Sequence, residues 1–124
     1  MTKKEYLDFH KSCCDKMVSI TAAKNADYTG DNEDPFSNFS YVEKLGICSV
    51  EVGFLTRMTD KLSRIRALTK QDAQVKDESI QDTLIDLANY CVLLAGYLRN
   101  KKQEASLQES FNLSCKERPD YHAV

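Results

Sequence analysis

Apolar residues recur at helical spacing through most of the chain. From about Thr2 to Asn25, the residues Tyr6, Phe9, Cys13, Met17 and Ile20 fall on one side of a 3.6-residue period, which predicts a first amphipathic helix. Lys24 lies on the same line, where a lysine either snorkels to water or points into a site. A second long helix is predicted from about Ser49 to Thr69, with Leu55, Met58, Leu62 and Ile65 as its buried stripe. A third runs from about Asp77 to Lys101, with Ile80, Leu84, Leu87, Cys91, Leu94 and Leu98 facing the core. Few runs alternate with the two-residue period of a strand. The pattern therefore predicts an all-α fold: a helical bundle of three main helices plus a short one, in a single domain spanning residues 1–124.

Between the first and second helices the pattern breaks. "NADYTGDNEDPFSNF", Asn25 to Phe39, is dense in Asp, Asn and Gly, and Pro35 opposes helix continuation, so a loop is expected. Ser40 and Glu43 have the spacing of a capping box and Gly46 suits a C-terminal cap, which places a short helix there. A loop of this length in a small domain is uncommon without a binding or lid role, so residues 25–47 read as a functional loop with a short helix. At the other end, residues 103–124 read as a polar tail interrupted by Pro119.

Composition narrows the class. A chain of 124 residues can build one modest hydrophobic core, and its apolar surface would be buried better in a homo-oligomer, a dimer or higher. Seventeen Lys and Arg against nineteen Asp and Glu give a net charge of −2, which disfavours duplex nucleic acid held by phosphate contacts as the main partner. Five cysteines with no C-x-x-C spacing suggest reduced thiols and a cytoplasmic protein. The charged N-terminus "MTKKEYLDFHKSCCDK" has no leader pattern, and no apolar run reaches membrane-spanning length.

Two charged groupings are candidates for chemistry. On the third helix Glu78, Asp82, Asp86 and Asn89 lie within about 40° of one line, because each residue advances ~100°. Like charges one turn apart repel, and water, basic side chains or a metal ion must offset that. Carboxylates converging in a helical bundle, with Glu51 from the preceding helix, suit Mg²⁺ shared with phosphate oxygens; a solvated acidic face is the plainer alternative. Further along, Leu93 occupies the line that carried Asp82 and Asn89, so this face is expected to meet protein over part of its length.

On the second helix Arg57, Asp60, Lys61 and Arg64 cluster at i, i+3, i+4 and i+7. They can pair with the carboxylates of the third helix, or they can clamp phosphates through guanidinium forks and an ammonium charge. An internal network would be saturated, whereas a site would leave basic groups open. Other chemistries find little support. There is no glycine-rich phosphate loop, no G-x-S-x-G and no H-E-x-x-H, and the histidines, His10 and His122, lie near opposite ends.

Three blocks, "KNADYTG…DPFSNF", "LGICSVEVGFLTRMTDKLSRI" and "KDESIQDTLIDLANY", together resemble the phage-associated family named nucleotide modification associated domain 1, over Lys24 to about Leu98. That family is similar to the all-α nucleoside triphosphate pyrophosphohydrolases of the MazG and dimeric dUTPase types. Those are helical oligomers that bind Mg²⁺ through an E-x-x-E pair followed by E-x-x-D or E-x-x-x-D. The resemblance implies that Glu78 and Asp82 correspond to the second acidic pair and Glu51 to a remnant of the first. Phe54 stands where the other acid of that first pair would be, and Asp60 or Asp86 would have to substitute for it. It also implies that Lys24, Asp27, Tyr28, Asp34, Phe36 and Asn38 belong to a loop that closes over a base or ribose, while Arg57, Lys61 and Arg64 meet phosphates.

Three functions follow as expectations. The first is capture, without hydrolysis, of a phosphorylated nucleotide or nucleotide-derived signal, as a phage-encoded anti-defence protein in the host cytoplasm would require. Its site would comprise Lys24, Asp27, Tyr28, Phe36, Asn38, Phe39, Arg57, Lys61, Arg64 and Asn89, with stacking on Tyr28, Phe36 or Phe39. The second is Mg²⁺-dependent pyrophosphohydrolysis with Glu51, Glu78 and Asp82 as metal ligands. The third is a structural helical oligomerisation module whose charges make only ion pairs.

Overall fold

A computed structural model describes residues 1–30, 33–71 and 79–116, and every element in them is a helix: α1 (Lys3–Thr29), α2 (Ser37–Lys44), α3 (Val50–Leu68) and α4 (Ile80–Lys116). Among the described residues there is no strand. The all-α expectation holds. The chain divides into two units, Met1–Leu94 and Ala95–Val124, so α4 belongs partly to each.

Local sequence explains the helix ends. Thr2 and Glu5 close α1 reciprocally: the Thr2 hydroxyl accepts from the Glu5 N–H at 3.1 Å, and the Glu5 carboxylate accepts from the Thr2 N–H at 2.6 Å. α1 continues past Asn25, because no proline or glycine interrupts residues 25–29, and it ends at Gly30, whose φ of 56° is a glycine conformation. Asn25, Asp27 and Tyr28 are therefore helical, not loop residues. α2 begins earlier than Ser40, and the Ser40–Glu43 capping box does not form. The Ser40 hydroxyl instead donates to the Ser37 carbonyl at 2.9 Å, and the Glu43 carboxylate accepts from the Val50 N–H at 3.3 Å, tying α2 to the positive end of α3. Gly46, at φ 72°, makes the turn between them. Ser49 caps α3 by accepting from the Val52 N–H.

α3 meets α2 by a different side from the one its leucines suggest. Phe54 is fully buried and Val50 nearly so, while Leu55 and Leu62 are 54% and 56% exposed. Phe39 of α2 stacks on Phe54 with centroids 4.4 Å apart and an interplanar angle of 16°. Such a pair adds about 0.5–1.5 kcal/mol to the stabilisation from burial alone. Gly53 permits the close approach: a Cβ there would sit 3.0 Å from Val42 Cγ2.

In α4 the more buried positions include polar ones. Thr83 is buried and Asp82, Asp86, Asn89 and Tyr90 are half-buried, whereas Leu84, Cys91 and Leu98 of the expected core stripe are exposed. Long lysines reaching from α1 and α3 account for this, because their ammonium groups offset the buried part of the carboxylate charge. Asp77 and Glu78, at the expected helix start, lie outside the described residues.

The second unit contains the remainder of α4. Helix persists to Lys116, so the polar stretch 103–116 continues α4: no glycine or proline falls between residues 97 and 118, and "KKQEASLQES" is rich in helix formers. Side-chain bonds one turn apart, Asn100 to Glu104 at 3.4 Å and Gln108 to Asn112 at 3.0 Å, support it. No described helix is long and apolar enough to cross a membrane.

Candidate functional site

Within the first unit, α1, α2, α3 and α4 surround a cavity of about 80 Å³. At roughly 10–15 Å³ per water-sized position, it has room for about five to eight such groups. That is the scale of one ring system, with anything larger extending into solvent.

Each helix contributes at its own period. α1 supplies Thr21, Lys24, Asn25 and Tyr28, at i, i+3, i+4 and i+7. α4 supplies Asp86, Asn89, Tyr90 and Leu93 at the same spacing. Pro35, Asn38 and Phe39 come from the start of α2 and the residues before it, and Arg57 from α3. The Arg57 guanidinium carbon lies 5.0 Å from the Phe39 ring centroid, a cation–π distance. Tyr90 meets Phe39 edge-on at 6.4 Å, and Phe54 backs Phe39. Arg57 is thus seated on an aromatic ring held by the core. Tyr28 is 66% exposed and presents a second ring at the cavity wall.

α3 and α4 run antiparallel along this wall, since Lys61 reaches Asp86 while Arg64 reaches back to Thr83. Lys61 Nζ lies 3.2 Å from Asp86 Oδ2, and Lys24 Nζ from α1 lies 3.6 Å from Asp86 Oδ1. Asp86 therefore joins α1, α3 and α4 through one carboxylate. Arg64 Nε donates to the Thr83 hydroxyl at 3.2 Å, and the Thr83 hydroxyl donates to the Ser79 carbonyl. The Asn89 amide donates to the Met17 carbonyl at 3.5 Å, a long bond linking α4 to α1.

Asp82 has a separate role. Lys16 Nζ donates to its Oδ1 at 2.9 Å, while the Ser79 hydroxyl and N–H both donate to Oδ2, at 2.8 and 3.2 Å. The Lys16 bond first, and the Ser79 bonds next, lower the Asp82 carboxyl from its ordinary value of 3.8 to about 2. Ser79 in turn accepts from the Asp82 N–H at 3.1 Å, so the pair also closes the start of α4.

The structure brings together six of the ten expected ligand-contacting residues: Lys24, Tyr28, Asn38, Phe39, Arg57 and Asn89 all line the cavity. Asp27 is exposed on α1, Phe36 precedes α2 with its N–H on Asp34, and Lys61 and Arg64 are engaged by Asp86 and Thr83. None of these four lines the cavity. The basic stripe is therefore divided between two roles. Among its three cations only Arg57 lines the cavity, and among the described residues it makes no ion pair. Thr21, Asn25, Tyr90 and Leu93 were not foreseen. The signal for them was present, because each stands one turn or less from a residue that was singled out.

For the expected metal set, Glu51 lies in the first turn of α3 and does not line the cavity, and Glu78 is outside the described residues. Lys16 and Ser79 occupy Asp82, and two lysines flank Asp86. Among the described residues no three His, Cys, Asp or Glu side chains converge closely enough to hold a metal ion.

No curated protein and no solved structure gives a significant match to the chain. Residues 48–95 match the model of the family described as nucleotide modification associated domain 1, a stretch that runs through α3 into α4 and includes Arg57, Lys61, Asp86, Asn89 and Tyr90.

Proposed function

We propose that the protein binds a phosphorylated nucleotide or a nucleotide-derived signalling molecule in this cavity and holds it without hydrolysing it. One observation supports this reading above the others: Arg57 lines a ring-sized cavity, seated on Phe39 and without an ion pair among the described residues, while Lys24 and Lys61 both pair with Asp86. A guanidinium in that setting can take two phosphate oxygens through its planar fork. Phe54 already covers Phe39, so the exposed Tyr28 ring is the better stacking partner for a base. Asn38 and Asn89 offer amide donors and acceptors for its edge. The match of residues 48–95 to the family described as nucleotide modification associated domain 1 supports the nucleotide assignment.

In the same reading the protein is phage-encoded, acts in the host cytoplasm and sequesters a messenger or substrate of host defence. It works as a homo-oligomer, which would cover the exposed Leu55, Leu62, Leu84 and Val92.

The alternative is a MazG-like, Mg²⁺-dependent pyrophosphohydrolase. Glu51, Glu78 and Asp82 all fall inside the matched stretch 48–95, and this favours keeping that ligand set under test. A purely structural module would make the Lys16–Asp82 and Lys61–Asp86 pairs and the Arg57–Phe39 contact too, but it gives the cavity itself no role.

The deciding experiment incubates the purified protein with Mg²⁺ and a panel of linear and cyclic nucleotides, then chromatographs the mixture and the heat-released ligand. Recovery of unchanged ligand supports capture, pyrophosphate release supports the enzyme, and neither outcome leaves the structural module. Arg57→Ala should abolish capture while the helical signal persists. Loss of the fold in that variant would make Arg57 a structural residue.

A further inference from the structure

We infer that Asp86 reads the hydroxyl groups of a sugar, so that the cavity prefers ribonucleotides to their 2′-deoxy counterparts; this rests on the nucleotide reading above. Among the described residues that line the cavity Asp86 is the sole carboxylate, an unexpected group in a pocket meant for an anion. Phosphate and carboxylate are both acceptors and both negative, so no direct contact between them is favourable. A ligand group in direct contact with Asp86 is therefore one that is neutral and donates.

Lone-pair accounting leaves room for that role. A carboxylate offers about four acceptor sites. Lys24 approaches Oδ1 at 3.6 Å and Lys61 approaches Oδ2 at 3.2 Å, one cation to each oxygen, so about two sites remain. The two ammonium groups also offset the charge of the single carboxylate, which lowers its repulsion of an anionic ligand bound nearby.

The placement of the groups fits a nucleotide's own layout. Arg57 and Lys61, the partner of Asp86, stand one turn apart on α3, a rise of about 5.4 to 6 Å. A 5′-phosphate and the 2′ and 3′ hydroxyls flank a single ribose ring. Phosphate on Arg57 then leaves the hydroxyls facing Asp86, with the base toward Tyr28. The amides of Asn38 and Asn89 both donate and accept, which suits the mixed donors and acceptors of a base edge. Asp86 accepts only, and loss of a hydroxyl leaves its remaining sites without a donor in a part-enclosed cavity.

The test is calorimetric titration of the protein with paired nucleotides, ATP against 2′-deoxyATP and the corresponding guanine, cytosine and uracil or thymine pairs, each as mono- and triphosphate. The ribo form should bind about tenfold to a hundredfold more tightly, the usual range for a hydrogen bond to a charged acceptor. In Asp86→Asn the ratio should fall toward one, with binding of the deoxy form equal to or tighter than in the unsubstituted protein. Asp86→Glu keeps the charge and both lysine partners but displaces the carboxylate by one methylene. It should reduce the ratio severalfold, and it decides the matter if Asp86→Asn does not fold. Equal affinity for both sugars in the unsubstituted protein, or an unchanged preference in a folded Asp86 variant, overturns the assignment and leaves the nucleotide reading standing. Failure of every nucleotide pair to bind overturns both.

Discussion

Replacing Phe54 with alanine should be the most damaging single change in the first unit. Phe54 is wholly buried and supplies the surface on which Phe39 stacks at 4.4 Å. Truncating a buried phenylalanine typically costs about 3–5 kcal/mol, from lost transfer free energy and the cavity left behind. Against a total stability of about 5–15 kcal/mol, that is roughly a fifth or more of what holds a domain folded. For a chain of this size each kcal/mol shifts the melting temperature by roughly 3–6 °C, so a fall of about 10–30 °C is expected. Thermal and urea unfolding followed by far-ultraviolet circular dichroism would measure it. A double-mutant cycle with Phe39→Ala should return a coupling of about 0.5–1.5 kcal/mol from the stacked pair. The gentler Phe54→Leu should fold, yet bind ligand less tightly, because Phe39 would lose its backing and Arg57 its seat. A loss below about 1 kcal/mol for Phe54→Ala, or a coupling indistinguishable from zero, would mean that α2 is held to α3 by something other than this pair.

Two further perturbations probe how the elements around the cavity are held. Gly53→Ala should lower the melting temperature: the gain of about 1 kcal/mol in helix propensity competes with about 1–3 kcal/mol of overpacking against Val42, 3.0 Å away. Adding Val42→Ala should restore the loss; a rise in stability for Gly53→Ala alone would show that α2 shifts at no cost. Asp82 should make the protein acid-sensitive. Its folded carboxyl, lowered by Lys16 and Ser79 to about 2, binds a proton less readily than the unfolded one near 3.8. Its contribution is therefore present above about pH 4 and fades as pH falls toward 2. Urea midpoints measured from pH 2 to pH 5 should fall more gently in Asp82→Asn, and an identical slope would deny Asp82 this role.

Helix type and approximate position were legible along the chain because periodicity and capping are local. Ser49 was placed within one residue of its role at the start of α3, and Gly46 marked a turn that needs a positive φ. The length of α1 was underestimated because composition suggested a loop at Asn25. Loop-like residues do not end a helix unless proline or glycine intervenes, and Gly30 is the first to do so. The cavity was legible in part. Lys24, Tyr28, Asn38, Phe39, Arg57 and Asn89 were singled out from four separate stretches, and the fold gathers them around one cavity. Their neighbours Thr21 and Tyr90 were missed because a side chain's spacing gives its face but not which face looks inward.

The amino-acid sequence by itself determined that the described chain is helical, where α1 and α3 begin, and that α3 and α4 carry basic and acidic clusters. Only tertiary structure decided which sides meet. Leu55, Leu62 and Leu84 have the periodicity of a core and yet are exposed, while Lys61, Arg64, Asp82 and Asp86 turn toward neighbouring helices. A hydrophobic period records that a helix has an apolar side. Whether that side meets its own chain depends on the partners available, and here ion pairs across α1, α3 and α4, together with one stacked aromatic pair, orient the helices around the cavity.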